Sequence, residues 1–374
     1  MVAGEASGDL LGSQLSTELR QLSPGLKVVG IGGPKMEAAG MEVWFPLEKL
    51  AVRGYFEVIK HFLEIVGIRR TLRRRLIENP PDVFIGIDAP DFNLALECKL
   101  KSNGIPTVHY VSPAIWMWRK ERLLKIKRAV NKMLTLFPFE VDIYRRAGID
   151  VAFVGHPLTD LLEQVPRDNT AREQLKLPID VPIIAMLPGS RQSELHYMAD
   201  LFIQTAKVIH ARLPQALFLV PLTTRETRAM FETALYNLEA EGLPLTIMFG
   251  HAQDAMAAAD VVLVASGTAT LEAALLCKPM VITYRMSPAS HWLLKGKGYL
   301  PYYGLPNILA REFVVPELIQ DDATAANLSQ ALLNLLGDIG VRDRIVRRFT
   351  KLNASLSRGA ARQAALAVLP LLQK

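Results

Sequence analysis

Cysteine is scarce in this sequence: Cys98 and Cys277 are the two cysteines among 374 residues. They lie far apart, in segments with a helical pattern, so neither a disulfide framework nor a cysteine-based metal site is expected, and a reducing cytoplasm fits. Long hydrophobic runs are also lacking, because no window offers the roughly 18 uninterrupted apolar residues that a membrane-spanning helix needs. Hydrophobic residues nevertheless make up 50% of the chain and charged residues 21%, which is typical of a globular protein.

Acidic residues are few in two basic segments of the first half. Residues 53–75 contain seven lysines and arginines against two glutamates, and residues 119–132 contain seven against one. Because the whole chain carries a net charge of only +6, the remainder is acidic on balance. Such a local concentration of positive charge predicts an anionic partner, which could be a phospholipid surface, a phosphorylated substrate or nucleic acid.

Short apolar runs alternate with amphipathic segments of helical length along most of the chain. Continuous apolar strands between helices are typical of parallel sheets covered on both faces, so five runs in each half predict two doubly wound, Rossmann-like α/β domains. The runs span residues 26–31, 82–87, 106–111, 132–137 and 151–154, then 182–187, 216–221, 245–249, 260–265 and 279–284. A polar, proline-containing segment, 159–182, separates the two sets. We assign residues 1–165 to the first domain and residues 166–345 to the second. Residues 346–374 form C-terminal helices, which in proteins of this kind often pack across both domains.

The N-terminus departs from this pattern. It predicts a tight loop and then a helix from about Asp9, with Leu10, Leu11, Leu15 and Leu19 at helical spacing. Only residues 1–3 remain for the preceding strand, whereas strands usually have about five or six residues. We therefore expect either a vestigial strand or a true start that lies upstream, and favour the second.

Small and hydroxyl residues separate the apolar run 260–265 from the next predicted helix. Ser266, Gly267 and Thr268 would let the backbone approach a ligand, and the helix N-terminus would offer its N–H groups to an anion. Glu272 lies one turn into the helix, where a carboxylate can accept hydrogen bonds from the diol of a ribose. The pattern leaves a second interpretation open, which is an ordinary capped helix whose early glutamate interacts with the helix dipole.

The segment after the run 182–187 has a similar character. Gly189 and Ser190 fit a tight turn over a phosphate, and Arg191 could reach a diphosphate or a leaving group. The alternative is a solvated turn with a surface arginine. Neither loop is a Walker-type P-loop, because no lysine follows the glycine. Two phosphate-compatible loops in one domain predict a nucleoside diphosphate bound without a P-loop.

Carboxylates mark two strand ends in the first half. Asp88 and Asp91 follow the run 82–87, and either could be a general base on a substrate hydroxyl. Asp91 is better placed to cap the next helix, which leaves Asp88 as the better base candidate. Glu5 lies at the equivalent end of the first strand, with a loop residue that binds backbone N–H groups as the alternative. No pair of histidines has metal-binding spacing, so no metal site is inferred.

A basic amphipathic segment, 55–76, has the pattern of an interfacial helix on anionic lipid. The alternative is a helix that faces the core and has a solvated basic end. A nearby basic segment contains Trp116 and Trp118, which suit a lipid headgroup region, a base-stacking site or a packed loop. The apolar face of the first segment would consist of Phe56, Ile59, Phe62, Leu63 and Val66.

Eight motifs in the same order closely resemble the lipid-A-disaccharide synthase family from residue 2 to about residue 320. They are GEASGDLLG, GIGGPKMEAAG, IDAPDFN, HYVSPAIWMWR, FVGHPL, LPGSRQSE, ASGTATLEAALLCKPMVITYR and LPNILA. The resemblance implies a GT-B architecture, with two Rossmann-like domains facing a central cleft. It also implies an inverting transfer, without metal or other cofactor, from UDP-2,3-diacylglucosamine to the 6-hydroxyl of 2,3-diacylglucosamine 1-phosphate. The products would be a β-1,6-linked disaccharide 1-phosphate and UDP, in lipid A and lipopolysaccharide biosynthesis.

The resemblance also implies roles for individual residues. Asp88 or Glu5 would deprotonate the acceptor, and Arg191 would stabilise the departing UDP. The donor UDP would contact Gly189, Ser190, Ser266, Gly267, Thr268, Glu272 and Asn307. The enzyme would be cytoplasmic and peripheral on the inner membrane of a Gram-negative bacterium, with residues 55–76 on the anionic phospholipid surface. The basic residues of 119–128 would meet the acceptor phosphate or lipid headgroups, and a homodimer is compatible with the sequence.

Two other classes of protein remain as alternatives. One is an enzyme of the same architecture that acts on a water-soluble sugar, such as another UDP-sugar transferase or a UDP-sugar epimerase. The other is a non-catalytic basic module that binds nucleic acid or membrane. The phosphate-compatible loops lie in the less basic half, which argues against a nucleic-acid partner.

Overall fold

The computed structural model describes residues 1–50, 58–114, 122–287 and 301–372, with only the backbone for 58–62. The chain divides into two compact units. We call Met1–Pro157 together with Leu356–Lys374 the N unit, and Leu158–Ser355 the C unit. The first crossing of the chain therefore falls between Pro157 and Leu158, whereas the sequence placed the boundary after residue 165. Of the C-terminal region 346–374, residues 346–355 belong to the C unit and residues 356–374 to the N unit.

The described part of the N unit contains a parallel sheet of seven strands. Their order is β3-β2-β1-β4-β5-β6-β7. The strands are β1 Val2–Ala3, β2 Val29–Gly32, β3 Glu42–Pro46, β4 Phe84–Ile87, β5 Thr107–Tyr110, β6 Lys132–Thr135 and β7 Asp150–Phe153. Although β1 has two residues, it lies at the centre of the sheet, with Val2 paired to Ile31 on one side and to Gly86 on the other.

Helices connect these strands and cover the sheet. They are α1 Ala6–Leu22, α2 Pro34–Ala38, α3 Val58–Glu78, α4 Pro90–Lys101, α5 Arg122–Ala129 and α6 Pro138–Arg146, with a 3-10 turn at Leu47–Lys49. Of the predicted stripe on α1, Leu11, Leu15 and Leu19 are buried in the main core, whereas Leu10 is half-buried. The helix begins at Ala6, three residues before the predicted start at Asp9.

The described part of the C unit contains a second parallel sheet, of six strands. Their order is β10-β9-β8-β11-β12-β13. The strands are β8 Ile183–Leu187, β9 Leu217–Leu222, β10 Leu245–Phe249, β11 Val261–Ala265, β12 Met280–Tyr284 and β13 Glu317–Ile319. Strands β8 and β11 are buried at every position, as expected for strands covered on both faces.

Helices again lie between the strands. They are α7 Pro157–Leu162, α8 Asp168–Gln174, α9 Gln192–Arg212, α10 Arg225–Asn237, α11 Ala252–Ala258, α12 Thr268–Leu275, α13 Leu305–Ala310, α14 Ala325–Gly337 and α15 Ile339–Leu356, with a 3-10 turn at Gln320–Asp322. The last helix, α16 Ala360–Leu372, returns to the N unit. Its residues Ala364, Ala365 and Val368 join the core that contains the buried face of α1, which explains why this helix belongs to the N unit.

Each of the ten predicted apolar runs overlaps a strand. The sequence missed two edge strands, β3 and β13, because neither is a continuous apolar run. Strand β3 is half-exposed and reads EVWFP, and β13 has three half-buried residues. Edge strands bury less surface and therefore need less hydrophobic sequence.

The two segments where the chain passes between units meet at one backbone hydrogen bond. His156 N donates to Leu356 O at 2.9 Å. Gly155 has φ +91°, and a Cβ at this position would lie 2.7 Å from the same carbonyl oxygen. A glycine is therefore required here for both backbone conformation and space.

Candidate functional site

In each sheet the strand order reverses direction at one place. Strands β1 and β4 flank this switch point in the N unit, and β8 and β11 flank it in the C unit. Ligands of open α/β sheets bind at such a place, outside the carboxyl ends of the strands. Two loops follow each pair of strands, and these four loops contain most of the candidate residues from the sequence.

Asp88 follows β4 directly and is half-buried, in a strained backbone. Asp88 has φ +50° and Ala89 has φ +42°. Residues other than glycine rarely adopt such positive φ angles. Each such residue costs about 1–3 kcal/mol, and strain of this kind concentrates at functional sites. The Asp88 N–H donates to Tyr110 O of β5 at 2.8 Å, which holds the strained peptide against the sheet.

The capping role predicted for Asp91 is wrong. Ala89 is the N-cap residue of α4, and Pro90 occupies the first turn, so that Asp91 lies inside the helix. Its carboxylate is 84% exposed and forms an ion pair with Arg122 at 3.1 Å. A surface pair of this kind leaves Asp88 as the acid at this strand end.

Glu5 lies at the neighbouring strand end. It is exposed and is the N-cap residue of α1, and in the described part of the chain its side chain forms no capping hydrogen bond. Strands β1 and β4 are paired with Ala3 opposite Ile87, and a Cβ on Gly4 would lie 2.9 Å from Ala89 Cβ. The structure therefore brings the loops of the two candidate bases side by side.

Asp9 is a residue whose role the sequence did not reveal. Its buried carboxylate accepts hydrogen bonds from the N–H groups of Gly33 at 2.9 Å, Lys35 at 3.0 Å and Met36 at 3.0 Å. It therefore caps α2, although it belongs to α1. The glycine after β2 was a possible signal, because a Cβ on Gly33 would lie 2.7 Å from the Asp9 carboxylate.

In the C unit, the loop after β8 is organised by Glu194. One oxygen of this carboxylate accepts from Ser190 N at 2.8 Å and Arg191 N at 3.2 Å, and the other lies 3.0 Å from Arg191 Nη1. Gly189 has φ +133°, and a Cβ there would lie 2.7 Å from the same carboxylate. The N–H groups of Ser190 and Arg191 are therefore occupied within the loop, while the Arg191 side chain is 78% exposed.

The loop after β11 is the gap between Ser266 and α12. Gly267 is the N-cap residue of α12, and Gly267 and Thr268 are exposed. The first N–H groups of a helix have no intrahelical acceptor, so this terminus can bind an anion. Ser266 Oγ donates to Tyr303 O at 3.1 Å, and Thr270 Oγ1 donates to Gly267 O at 2.7 Å.

Glu272 lies in the next turn of α12 and is half-buried. Burial raises the pKa of its carboxyl, and a hydrogen bond from Gln253 Nε2 at 3.1 Å partly opposes this rise. Gln253 belongs to α11, 19 residues before Glu272, so this pairing could not be predicted from adjacent residues. Burial also raises the pKa of Tyr284 at the end of β12, with the Glu194 charge as the second cause, which places a tyrosine near the Arg191 loop.

Asn307 is fully buried, and its amide is engaged with its own loop. Its Nδ2 donates to Val315 O and to Glu317 Oε1, each at 2.9 Å, and its Oδ1 accepts from Val314 N and Val315 N. Glu317 also accepts from the N–H of Gly304 at 2.8 Å. Asn307 therefore orders the backbone around α13. Tyr303, just before this helix, accepts the hydrogen bond from Ser266.

The predicted lipid-binding face lies partly within the described residues. Phe56 and the side chains of Ile59 and Phe62 lie outside the described residues. Leu63 is 69% exposed, and Val66 is half-buried. The following turns of α3 contribute Ile68, Leu72 and Leu76 to the core. No helix in the described ranges is both long and apolar enough to cross a membrane.

Within the described residues, no group of three or more His, Cys, Asp or Glu side chains could hold a metal ion. His109 is fully buried and lies 2.7 Å from Glu97. His156 is also buried, and its ring packs on Phe137 with a centroid distance of 5.3 Å.

Two doubly wound, parallel-sheet units in one chain are consistent with the GT-B fold. Solved structures share this fold. The UDP-GlcNAc 2-epimerase of Neisseria meningitidis, bound to UDP-GlcNAc, matches with a TM-score of 0.62 and 12% identity, covering 98% of both chains. A glycosyltransferase of Rickettsia africae matches with a TM-score of 0.57 and 12% identity, covering 99% of this chain and 96% of the other.

Sequence comparison then identifies the family. The family model of lipid-A-disaccharide synthetase matches residues 1–368. The lipid-A-disaccharide synthase of Methylobacillus flagellatus is 56% identical, covering 100% of this chain and 99% of the relative, and that of Dechloromonas aromatica is 54% identical, covering 100% and 98%. The chain belongs to the lipid-A-disaccharide synthase family, and it is a glycosyltransferase of lipid A biosynthesis.

Proposed function

We propose that this chain transfers the sugar of UDP-2,3-diacylglucosamine to the 6-hydroxyl of 2,3-diacylglucosamine 1-phosphate. The products are the β-1,6-linked disaccharide 1-phosphate and UDP. Membership of the family supports this reaction. The observation that carries the residue assignment is the position of Asp88, on strained backbone at the switch point of the N unit.

In this proposal the C unit holds the donor. The N-terminus of α12, with Gly267 and Thr268, binds the diphosphate, and Glu272 accepts hydrogen bonds from the ribose hydroxyls. Arg191 supports the UDP oxygen that gains charge as the bond to the sugar breaks, an interaction that is stronger in the transition state than in the ground state. The exposure of its guanidinium supports this role, since a ligand can reach the group while it is paired with Glu194.

The N unit activates the acceptor. The Asp88 carboxylate takes the proton of the 6-hydroxyl while that oxygen attacks the anomeric carbon of the donor sugar. A bond forms between this carbon and the acceptor oxygen on one face, and the bond to the UDP oxygen breaks on the opposite face. The electron pair of the broken bond leaves on UDP, and the anomeric configuration is inverted.

We propose further that the enzyme meets its acylated substrates at an anionic phospholipid surface, on the cytoplasmic face of the inner membrane. Leu63 and Leu124 support this placement, because both are 69% exposed. Each belongs to a basic segment, and an apolar side chain beside basic residues favours an anionic lipid surface. Sedimentation with anionic but not with zwitterionic vesicles, weakened in a Leu63→Ser, Leu124→Ser double variant, is the expected result.

Acceptor-dependent release of UDP in mixed micelles tests the reaction and its base. We expect Asp88→Asn to lower kcat by about a hundredfold or more, as removal of a general base does. Asp91→Asn is the matched control, because this neighbouring carboxylate belongs to a surface ion pair, and it should keep wild-type kcat. A fully active Asp88→Asn enzyme together with an inactive Glu5→Gln enzyme would transfer the role to Glu5.

A further inference from the structure

Asn93 lies directly beneath the switch point of the N unit. It is fully buried on α4. Its Nδ2 donates to Asp88 O at 2.9 Å and also lies 3.3 Å from Val2 O. Val2 belongs to β1 and Asp88 follows β4, so one side-chain amide contacts both strands that lead to Glu5 and Asp88.

Both backbone polar groups of Asp88, its N–H and its carbonyl, are hydrogen-bonded. The Asp88 N–H donates to Tyr110 O of β5, and its carbonyl accepts from Asn93. Two consecutive residues here have positive φ, which a chain without such contacts would relax. The direction of the Asp88 side chain depends on this backbone conformation, and so it depends on Asn93.

The face of α4 that carries Asn93 also contacts the sheet through a second buried side chain. One turn further along α4, the fully buried Glu97 contacts His109 of β5, with Oε1 2.7 Å from Nδ1. Gly86 of β4 leaves the room for both side chains, because a Cβ there would lie 2.2 Å from Glu97 Oε1 and 2.9 Å from Asn93 Cβ. The helix therefore cannot slide along the sheet without breaking a buried polar pair.

We propose that Asn93 is a positioning residue for the transfer reaction, which holds the backbone at Asp88 so that its carboxylate faces the acceptor hydroxyl. This inference rests on the proposed role of Asp88 as the base. Asn93 does not contact substrate in this proposal; it acts on the rate through Asp88 and leaves donor binding unchanged.

The first test compares two buried substitutions of similar size in the same unit. Asn93→Leu removes the amide donor, and we expect kcat to fall at least tenfold while KM for the UDP-sugar changes less than twofold. Thr107→Val is the matched control. It removes a buried hydrogen bond from Thr107 Oγ1 to Ala129 O at 2.7 Å, at the opposite end of β5. It should lower the unfolding temperature but leave kcat unchanged.

The second test separates positioning from general loss of structure by a double-mutant cycle. In the Asp88→Asn background, Asn93→Leu should change the residual rate less than twofold, because there is no longer a base to orient. An equal loss in both backgrounds would overturn the proposal, and so would wild-type kcat in Asn93→Leu. If Asn93→Leu does not fold, Asn93→Ser takes its place, with the same expectation and the same criteria.

These outcomes are distinct from a failure of the proposed base. An active Asp88→Asn enzyme would overturn the base assignment and this inference with it. An inactive Asp88→Asn enzyme with an unaffected Asn93 variant would overturn only the positioning role.

Discussion

Arg191 Nη1 lies 3.0 Å from Glu194 Oε1, and the other oxygen of this carboxylate binds the backbone of the same loop. Because the guanidinium is largely exposed, this ion pair contributes little to stability. Its effect is to hold the arginine at the carboxyl end of β8, beside the switch point. Arg191 is therefore oriented before a ligand arrives.

We expect Arg191→Ala to lower kcat by roughly a hundredfold, the loss typical of one donor to developing negative charge. The dissociation constant of UDP should weaken much less, since the interaction strengthens in the transition state. Steady-state rates and calorimetric titration with UDP measure the two effects. Arg228→Ala, which removes an exposed arginine paired with Glu232, is the control and should resemble the wild type. Parallel losses in kcat and UDP affinity would contradict a transition-state role.

If Glu272 accepts the ribose hydrogen bonds as proposed, we expect UDP binding to depend on pH. Burial raises the pKa of this carboxyl, so the charged form that accepts ribose hydrogen bonds is lost at a higher pH than for an ordinary glutamate. UDP affinity should therefore fall as pH decreases through this raised pKa. In Glu272→Gln, affinity at neutral pH should be about tenfold weaker, because a hydrogen bond to a charged group is lost.

UDP affinity is measured for the wild type and for Glu272→Gln at several pH values between 8 and 5. The ratio of the two affinities isolates the contribution of the Glu272 carboxyl, because protonation of the UDP phosphate affects both proteins equally. This ratio should approach one at low pH. Glu232→Gln, at an exposed glutamate of the same unit, should show wild-type affinity throughout. A constant ratio across the range would exclude Glu272 as the titrating acceptor.

Asp9 stabilises the N unit through three backbone hydrogen bonds to the start of α2. Asp9→Ala removes this cap and leaves buried N–H groups without an acceptor, so we expect a loss of about 3 kcal/mol in the free energy of unfolding. Urea unfolding followed by circular dichroism measures it. Asp82→Ala, at an exposed aspartate of the same unit, should change stability by less than about 0.5 kcal/mol. Equal effects of the two substitutions would show that the cap is unimportant.

His156 makes the protein less stable in acid. Burial lowers its pKa to about 4, from an ordinary value near 6.5. The neutral ring therefore stabilises the folded state above pH 6.5, and this contribution is lost as pH falls towards 4, by up to about 1.4 kcal/mol per pH unit. His156→Gln should flatten the decline in unfolding temperature between pH 6.5 and 4. His196→Gln, at an exposed histidine, should keep the wild-type slope; a decline as steep in His156→Gln would rule out this histidine as the cause.

The ten strands and the loops that follow β4, β8 and β11 could be predicted because each depends on adjacent residues. A buried parallel strand needs a continuous apolar run. The loop after such a strand is marked by a small or polar residue within a few positions of the end of the run, such as Asp88, Gly189 or Ser266. The motifs also identified the family, since their order and spacing are specific.

Only the tertiary structure decided which distant residues support these loops. Asn93 contacts the carbonyl of Val2, 91 residues away, and Asp9 caps a helix 24 to 27 residues beyond it. Gln253 of α11 is hydrogen-bonded to Glu272 of α12, and Glu97 of α4 contacts His109 of β5. Such partners are chosen by strand order and burial, because a buried polar group must find whatever donor or acceptor the fold brings to it. The sequence by itself determined ten of the strands, the strand-end loops and the family. The packing of α4 on the sheet decided how the candidate base is held, because it places the Asn93 amide against the Asp88 carbonyl.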